Sequence, residues 1–468
     1  MAEQSPRKGR RPQEAGGLMD TLLAILRTVI QAILQGLRYL QGRRLFKSDV
    51  QGLLIVTAFM IIIGILNVYS ATFAKNISNG TFLFSDVMKY IGFVIVSLLI
   101  SIFVYRYDYR KLAKPNSKVL LYLVGGVVLS LLAVMVVGTV VNGARRWIQL
   151  GPVSIQPSEV AKLVGIVWAS VKLSQFPWKP RYVSQRPKKA ETSAMEDKLW
   201  DFFHFLGYSF KILWPILLFA AITLKQPDMG TALLIVGFPF LLMLLAGLET
   251  YWVKLIVPVA GALVLLTALI SPYRRERVFT WWDPWQFEST SGYQTVQGMI
   301  AIGSGGLLGT GFGDGTSKFF YLPEAHTDFA FAVWAQEQGL VGALIIVALV
   351  VAMAFFGFRI ARRCNEYLGA LLATGCTMLL VGQAVFNIAM VCGMLPVTGV
   401  PLPFISYGGS ALVVNMAAVA LSANVGRRDA LTPAIGKETD VSSHRDAIKA
   451  KARRERRKVK RLQESANS

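Results

Sequence analysis

The chain has 468 residues, 54% of them hydrophobic and 16% charged, with a mean hydropathy of +0.48. A soluble domain carries roughly 25% charged residues, so this shortfall and the long apolar runs exclude an ordinary soluble enzyme and place the chain in the membrane class. The net charge of +22 makes no case for nucleic acid, because the basic residues sit between and beyond the apolar runs, where a membrane protein keeps them.

In chain order, residues 1–17 are polar and basic and read as a disordered N-terminus rather than a cleavable signal. Residues 18–47 predict an amphipathic interfacial helix, with Leu22, Leu26, Val29, Ile30, Ile33, Leu37 and Leu40 on one face and Arg27, Gln31, Gln35 and Arg38 on the other. Ten segments then have the length and apolarity of spans: about 51–70, 88–105, 118–139, 158–174, 209–225, 230–248, 252–271, 329–356, 368–391 and 408–426. The expected fold is therefore an all-α polytopic membrane domain over 48–428. A basic insert at about 175–208, with Pro177, Pro180 and Pro187, reads as a loop, and residues 429–468 form a basic tail. The positive-inside rule puts both termini, the insert and the tail in the cytoplasm. Cys364, Cys376 and Cys392 lack metal spacing and read as packing residues.

That direction leaves four outer segments: 141–163, the turn 224–230, a large loop of about 272–328, and 393–409. The ionisable residues expected at an outward-opening cavity are Arg145, Arg146, Glu159, Lys162, Lys225, Asp228 and Asp328. Each also has a plain structural use. Arg145 and Arg146 beside Trp147 suit an interfacial anchor. Glu159 pairs readily with Lys162 one helical turn on, and Lys225 with Asp228 across the turn. Asp328 stands where an N-cap would, so the residues alone leave capping and catalysis both open. GSGGLLGTGFGDG lacks the preceding strand and the Lys-Ser/Thr ending of a phosphate loop and reads instead as a segment that folds back at the membrane surface. PLPFISYGG predicts a helix break at Pro401 and Pro403 with a restart near the glycines.

GARRWIQLGPVSIQPSEVAKL, KQPDMGTALL, YQTVQGMIAIGSGG, YLPEAHTDFAFA and GVPLPFISYGGSALVVN occur in this order between about residues 51 and 428. Together they resemble the SEDS family, the FtsW/RodA/SpoVE proteins of bacterial cell-wall synthesis. The resemblance implies ten transmembrane helices with a large outer loop between the seventh and eighth, in the cytoplasmic membrane. It implies a peptidoglycan glycosyltransferase that polymerises lipid II, with the essential acid of the HTD motif on Asp328. Glu324, His326, Ser406 and Tyr407 fall in the family's motifs and join Arg145, Arg146, Glu159, Lys162, Lys225 and Asp228 as substrate-binding candidates. Where some members carry a glutamate before YLPE this chain has Phe320, so no second acid is expected there. A divalent cation, Mg or Mn, at the pyrophosphate is a further expectation, as is partnership with a class B penicillin-binding protein and other divisome or elongasome proteins. GGSALVVNMAAVAL leans to the division branch, although PVTGVPLP also occurs in elongation proteins. A lipid II flippase and a non-catalytic scaffold stay open as rivals. Charges gathered at the outer ends of the spans favour surface chemistry over passage through the midplane.

Overall fold

The computed structural model describes residues 48–114, 117–141, 144–151, 153–175, 194–248 and 272–431, with isolated positions 31, 254, 258 and 261. The expected interfacial helix, the proline-rich part of the insert, the predicted span at 252–271 and the tail beyond 431 lie outside the described residues. Eleven α-helices are present among those described: α1 Asp49–Ser78, α2 Ser85–Arg106, α3 Val119–Val137, α4 Pro157–Gln175, α5 Ala194–Lys225, α6 Met229–Leu245, α7 Pro272–Trp282, α8 Tyr293–Ser304, α9 Ala330–Arg363, α10 Tyr367–Val391 and α11 Gly409–Leu431. Seven of them (α1, α2, α3, α5 from Gly207, α9, α10 and α11 to Ala430) are long and apolar enough to cross a membrane. α6 is apolar but shorter. α4 has the length of a span, but Glu159, Lys162 and Lys172 dilute its apolar character.

Nine of the ten expected segments thus fall on helices. α5 starts at Ala194, not near 209, so the second part of the basic insert is helical rather than loop. The described residues up to Gly426 form one compact unit. Within that unit α9 packs on α1 and α10, and α4 on α6 and α10. α10 is enclosed, with 67% of its apolar window buried, whereas α2 is peripheral at 17%. Exposed Leu99, Ile102 and Phe103 on α2 are what a lipid-facing surface requires.

One departure from an all-α chain occupies residues 139–155. β1 (Thr139–Val141), β2 (Ala144–Leu150) and β3 (Val153–Ile155) form a small antiparallel sheet in the order β1-β2-β3. The sheet matters because consecutive strand residues face opposite ways, so Arg145 and Arg146 are sent to different sides.

α9 is broken near its start. Gly339 has φ +65° and ψ −164°, which no helix continues through. The glycine-rich segment after α8 lies against this break and satisfies the freed backbone groups. Thr310 N donates to Gln336 O at 3.0 Å and Gly311 N to Glu337 O at 3.1 Å. In return Leu340 N donates to Gly306 O at 2.9 Å and Val341 N to Leu307 O at 3.2 Å. Irregular backbone inside a membrane protein survives only with such partners. The contact needs glycine at 309, where φ is +85° and a Cβ would sit 2.1 Å from Glu337 O. Gly306 also has positive φ, +54°, but nothing within 4 Å of its would-be Cβ. Gly306→Ala is therefore expected to cost only the left-handed penalty of roughly 1–2 kcal/mol. Gly309→Ala adds a backbone clash and is expected to lower the thermal midpoint in detergent further than Gly306→Ala does. Equal midpoints for the two variants would contradict this docking.

Candidate active site

The start of α9, the end of α10, the turn between α5 and α6, strand β2 and helix α7 contribute side chains around Asp328. The first question is whether Asp328 caps its helix. It does not. The N-cap of α9 is Phe329, with no side-chain capping bond. The nearby amides of Thr327 and Phe329 are taken by the carbonyl of Glu324, each at 3.2 Å. Among the described residues the Asp328 carboxylate makes no hydrogen bond and no ion pair, while its own carbonyl accepts from Asn387 Nδ2 at 2.8 Å. Asn387 Nδ2 also donates to Val400 O at 2.7 Å and so ties Asp328 to the segment after α10. Gly399, at φ +76°, lies against the carboxylate: a Cβ there would stand 3.3 Å from Asp328 Oδ2.

The electrostatics follow from that enclosure. Asp328 is half-buried by surface area. Burial first, then the charges of Glu324 and Asp228, push its pKa up to about 7, while Arg146 and Arg277 pull the other way. The group therefore titrates near neutrality, where a general base is most effective.

Arg146 stands on the site side of β2. Its Nε donates to Gln226 O at 3.3 Å and its Nη2 to Pro227 O, so it holds the turn ahead of Asp228. Asp228 is the N-cap of α6: Oδ1 accepts from Thr231 N at 3.1 Å, and Oδ2 from Gln156 Nε2 at 3.3 Å. Arg277, on α7, donates from Nη1 to Val397 O at 2.6 Å. Glu324 has a left-handed backbone, φ +53°, and its Oε2 accepts from Thr327 Oγ1 at 2.6 Å. The HTD segment is pinned to the loop before α11 where Tyr407 N donates to His326 O at 2.8 Å, with the two rings 5.9 Å apart. Burial, then the Lys75 charge, holds the His326 imidazole below its ordinary range, against Glu324 and Asp86, so it is neutral at pH 7. Ser406 is buried and its Oγ accepts from Leu402 N at 2.9 Å, which shapes the loop.

The other candidates stand apart from this cluster. Arg145 faces away and donates to Met135 O at 3.5 Å. Lys225 is exposed at the end of α5. Glu159 and Lys162 form an ion pair of 2.7 Å with side chains 2% and 0% exposed, so the pair presents no charge to the open face. Among the described residues Glu159 Oε2 has no hydrogen-bond partner. Sequence reasoning missed Arg277, Asn387 and Gly399. Arg277 is one of three arginines in YRRER, with nothing in the spacing to single it out. Asn387, a polar residue inside an apolar span, was the available signal.

The family model described as "Cell cycle protein", FtsW/RodA/SpoVE, matches residues 51–430. "Probable peptidoglycan glycosyltransferase FtsW" of Coxiella burnetii is 41% identical over 306 residues, 64% of this chain and 75% of the relative. "Stage V sporulation protein E" of Bacillus subtilis is 33% identical over 379 residues, 80% of this chain and 96% of the relative. Among solved structures, a chain from a study of the structural coordination of polymerization and crosslinking by a peptidoglycan synthase complex superposes with TM-score 0.61 at 28% identity, covering 83% of this chain and 98% of the other. The rod shape determining protein RodA of Thermus thermophilus gives TM-score 0.54 at 27% identity, covering 81% and 96%. A nearly all-helical, multi-pass membrane protein, the chain belongs to the FtsW/RodA/SpoVE family.

Proposed function

We propose that the chain is a peptidoglycan glycosyltransferase that polymerises lipid II at the outer face of the cytoplasmic membrane, with both termini inside and Asp328 as general base. The observation that carries this reading is the Asp328 carboxylate, just ahead of α9 and without a hydrogen-bond or ion-pair partner among the described residues. The acceptor N-acetylglucosamine 4-hydroxyl attacks the anomeric carbon of the chain held on undecaprenyl pyrophosphate. As that C–O bond forms, Asp328 takes the hydroxyl proton, and the bond to pyrophosphate breaks with its electron pair leaving on the phosphate oxygen. Arg146 and Arg277 are the positive charges that act on Asp328, and they are the cations assigned to stabilise the departing pyrophosphate. Displacement without a covalent enzyme intermediate inverts the anomeric carbon, from α-linked donor to β-linked polymer.

Among the described residues no three His, Cys, Asp or Glu side chains converge as a cation cage. A divalent cation at this site would therefore come with the pyrophosphate, and no step here is routed through one. The relatives named FtsW support the division branch, and the synthase-complex neighbour supports a class B transpeptidase as partner.

The test is labelled lipid II given to the protein in liposomes, alone and with a co-purified class B transpeptidase. The expected product is a ladder of β-linked glycan strands. Lipid II moved across the bilayer without polymer would replace this reading with a carrier. A fluorescent fusion is expected at the septum, and a side-wall distribution would move the chain to the elongation branch.

A further inference from the structure

A pocket of about 250 Å³ opens between α7, the start of α8 and residues 395–397. Its inner wall is shared with the site: Val397 O accepts from Arg277, and two residues further Gly399 lies on the Asp328 carboxylate. Gln294 Nε2, on the other wall, donates to Pro323 O at 3.4 Å in the segment leading to Asp328. The pocket therefore adjoins the reacting carboxylate through two separate chain segments.

The lining selects the ligand class. Thr280 Oγ1 and Ser291 Oγ share a hydrogen bond of 2.7 Å and offer hydroxyl donors and acceptors. Gln294 adds an amide, and Glu276 on the opposite wall adds a carboxylate. Trp281, 36% exposed, supplies an aromatic face. One arginine against one glutamate leaves no surplus of positive charge, which argues against a second pyrophosphate site. The polar groups argue equally against a polyprenyl chain. The volume lies below the roughly 300–1,000 Å³ of drug-sized sites, which fits a single ring. Hydroxyl and amide groups with one offsetting charge pair around one aromatic face, in a space for one ring, match a sugar: hydroxyls and an N-acetyl group reach the polar side chains while the C–H face lies on the indole.

We propose that this pocket is a sugar subsite, holding one N-acetylated pyranose ring of the glycan beside the glycosidic bond whose formation Asp328 assists. The proposal deepens the glycosyltransferase reading and rests on it only for the identity of the sugar. Trp281 and Gln294 act here in binding, away from the proton transfer.

The probe is a soluble tetrasaccharide of alternating β-1,4-linked N-acetylglucosamine and N-acetylmuramic acid, free of lipid, pyrophosphate and peptide. It is titrated calorimetrically into the full chain carrying Asp328→Asn, so that no turnover occurs. Binding is expected, with Kd raised about tenfold or more by Trp281→Ala and by Gln294→Ala, the loss of one stacking face or one hydrogen-bonding group. Trp281→Tyr, which keeps an aromatic face, is expected to stay within about threefold of the parent and to unfold at the same temperature. Absence of tetrasaccharide binding, or a Kd that neither alanine variant changes, overturns the subsite. So does binding of the isolated stem pentapeptide, titrated in parallel, in place of the glycan. Because the titration needs no catalysis, it fails independently of the polymerisation assay, which tests the enzymatic reading on the wild-type chain.

Discussion

Replacing Asp328 by asparagine is expected to lower the polymerisation rate by about 10²–10⁴-fold, the contribution typical of a positioned general base, while leaving a folded, detergent-stable protein. The two halves of this expectation have one cause. Asparagine has the shape of aspartate but cannot accept the acceptor's proton, so the chemical step loses its base. Stability is spared because the carboxylate caps no helix and closes no ion pair among the described residues. Asn387 holds residue 328 through its backbone carbonyl, which the substitution leaves in place. Asp328 has a folded-state pKa raised above its unfolded value, so its ionised form is the one that folding penalises. Stability from this group is complete below its unfolded pKa of about 3.8, declines as pH rises from there, and is lost above about 7. The asparagine variant should therefore equal or exceed the wild type in thermal midpoint at pH 8, with any advantage gone near pH 4. A variant that loses activity only because it unfolds would remove the argument for a catalytic role.

Lys318→Met is expected to destabilise the protein by about 3–5 kcal/mol, the cost of leaving a buried charge without its partner. Lys318 Nζ lies 2.8 Å from Glu337 Oε1, with side chains 1% and 2% exposed. Ser70 of α1 joins them: its hydroxyl donates to Glu337 Oε1 at 2.5 Å and accepts from Lys318 Nζ at 2.9 Å. Lys318 Nζ also donates to Gly313 O at 2.5 Å, so one ammonium joins α1, the broken start of α9 and the glycine-rich segment. Removing the lysine leaves the buried Glu337 carboxylate without its cation. The double variant Lys318→Met with Glu337→Met takes away both charges and should recover most of the loss, since a buried pair replaced by apolar groups is often neutral. Thermal unfolding of the three proteins in detergent measures this. A double variant no more stable than Lys318→Met alone would mean that the ammonium's hydrogen bonds to Gly313 and Ser70, rather than charge pairing, hold the segment.

The spans were legible in the sequence because the membrane demands long apolar runs, and that signal needs no knowledge of neighbours. The breaks were legible for a related reason: Pro401, Pro403 and the glycines of GSGGLLGTGFGDG change backbone freedom locally. The sheet at 139–155 was not, because three-residue strands carry little periodicity. In the candidate site, Asp328, Arg146 and Asp228 were readable as charges in the outer segments. Their division of labour was not. Asp228 caps α6 while Asp328 caps nothing, and the two aspartates look alike until the amides ahead of α9 are seen to be taken by Glu324 O. Glu159 and Lys162 showed the spacing of a pair but not its burial. Arg277 reaches the site only because α7 folds back onto residues 395–397, a contact 120 residues away in sequence.

The pH dependence of single-turnover polymerisation tests the role of Asp328 most directly. A base with its pKa near 7 must be ionised to act, so the wild-type rate should fall about tenfold per unit as pH drops below a midpoint near 7. The residual rate of Asp328→Asn should stay flat over the same range and so separate the enzyme's titration from the substrate's. A wild-type profile as flat as the variant's, or an acid limb that persists unchanged in Asp328→Asn, would contradict the assignment of the base to this carboxylate.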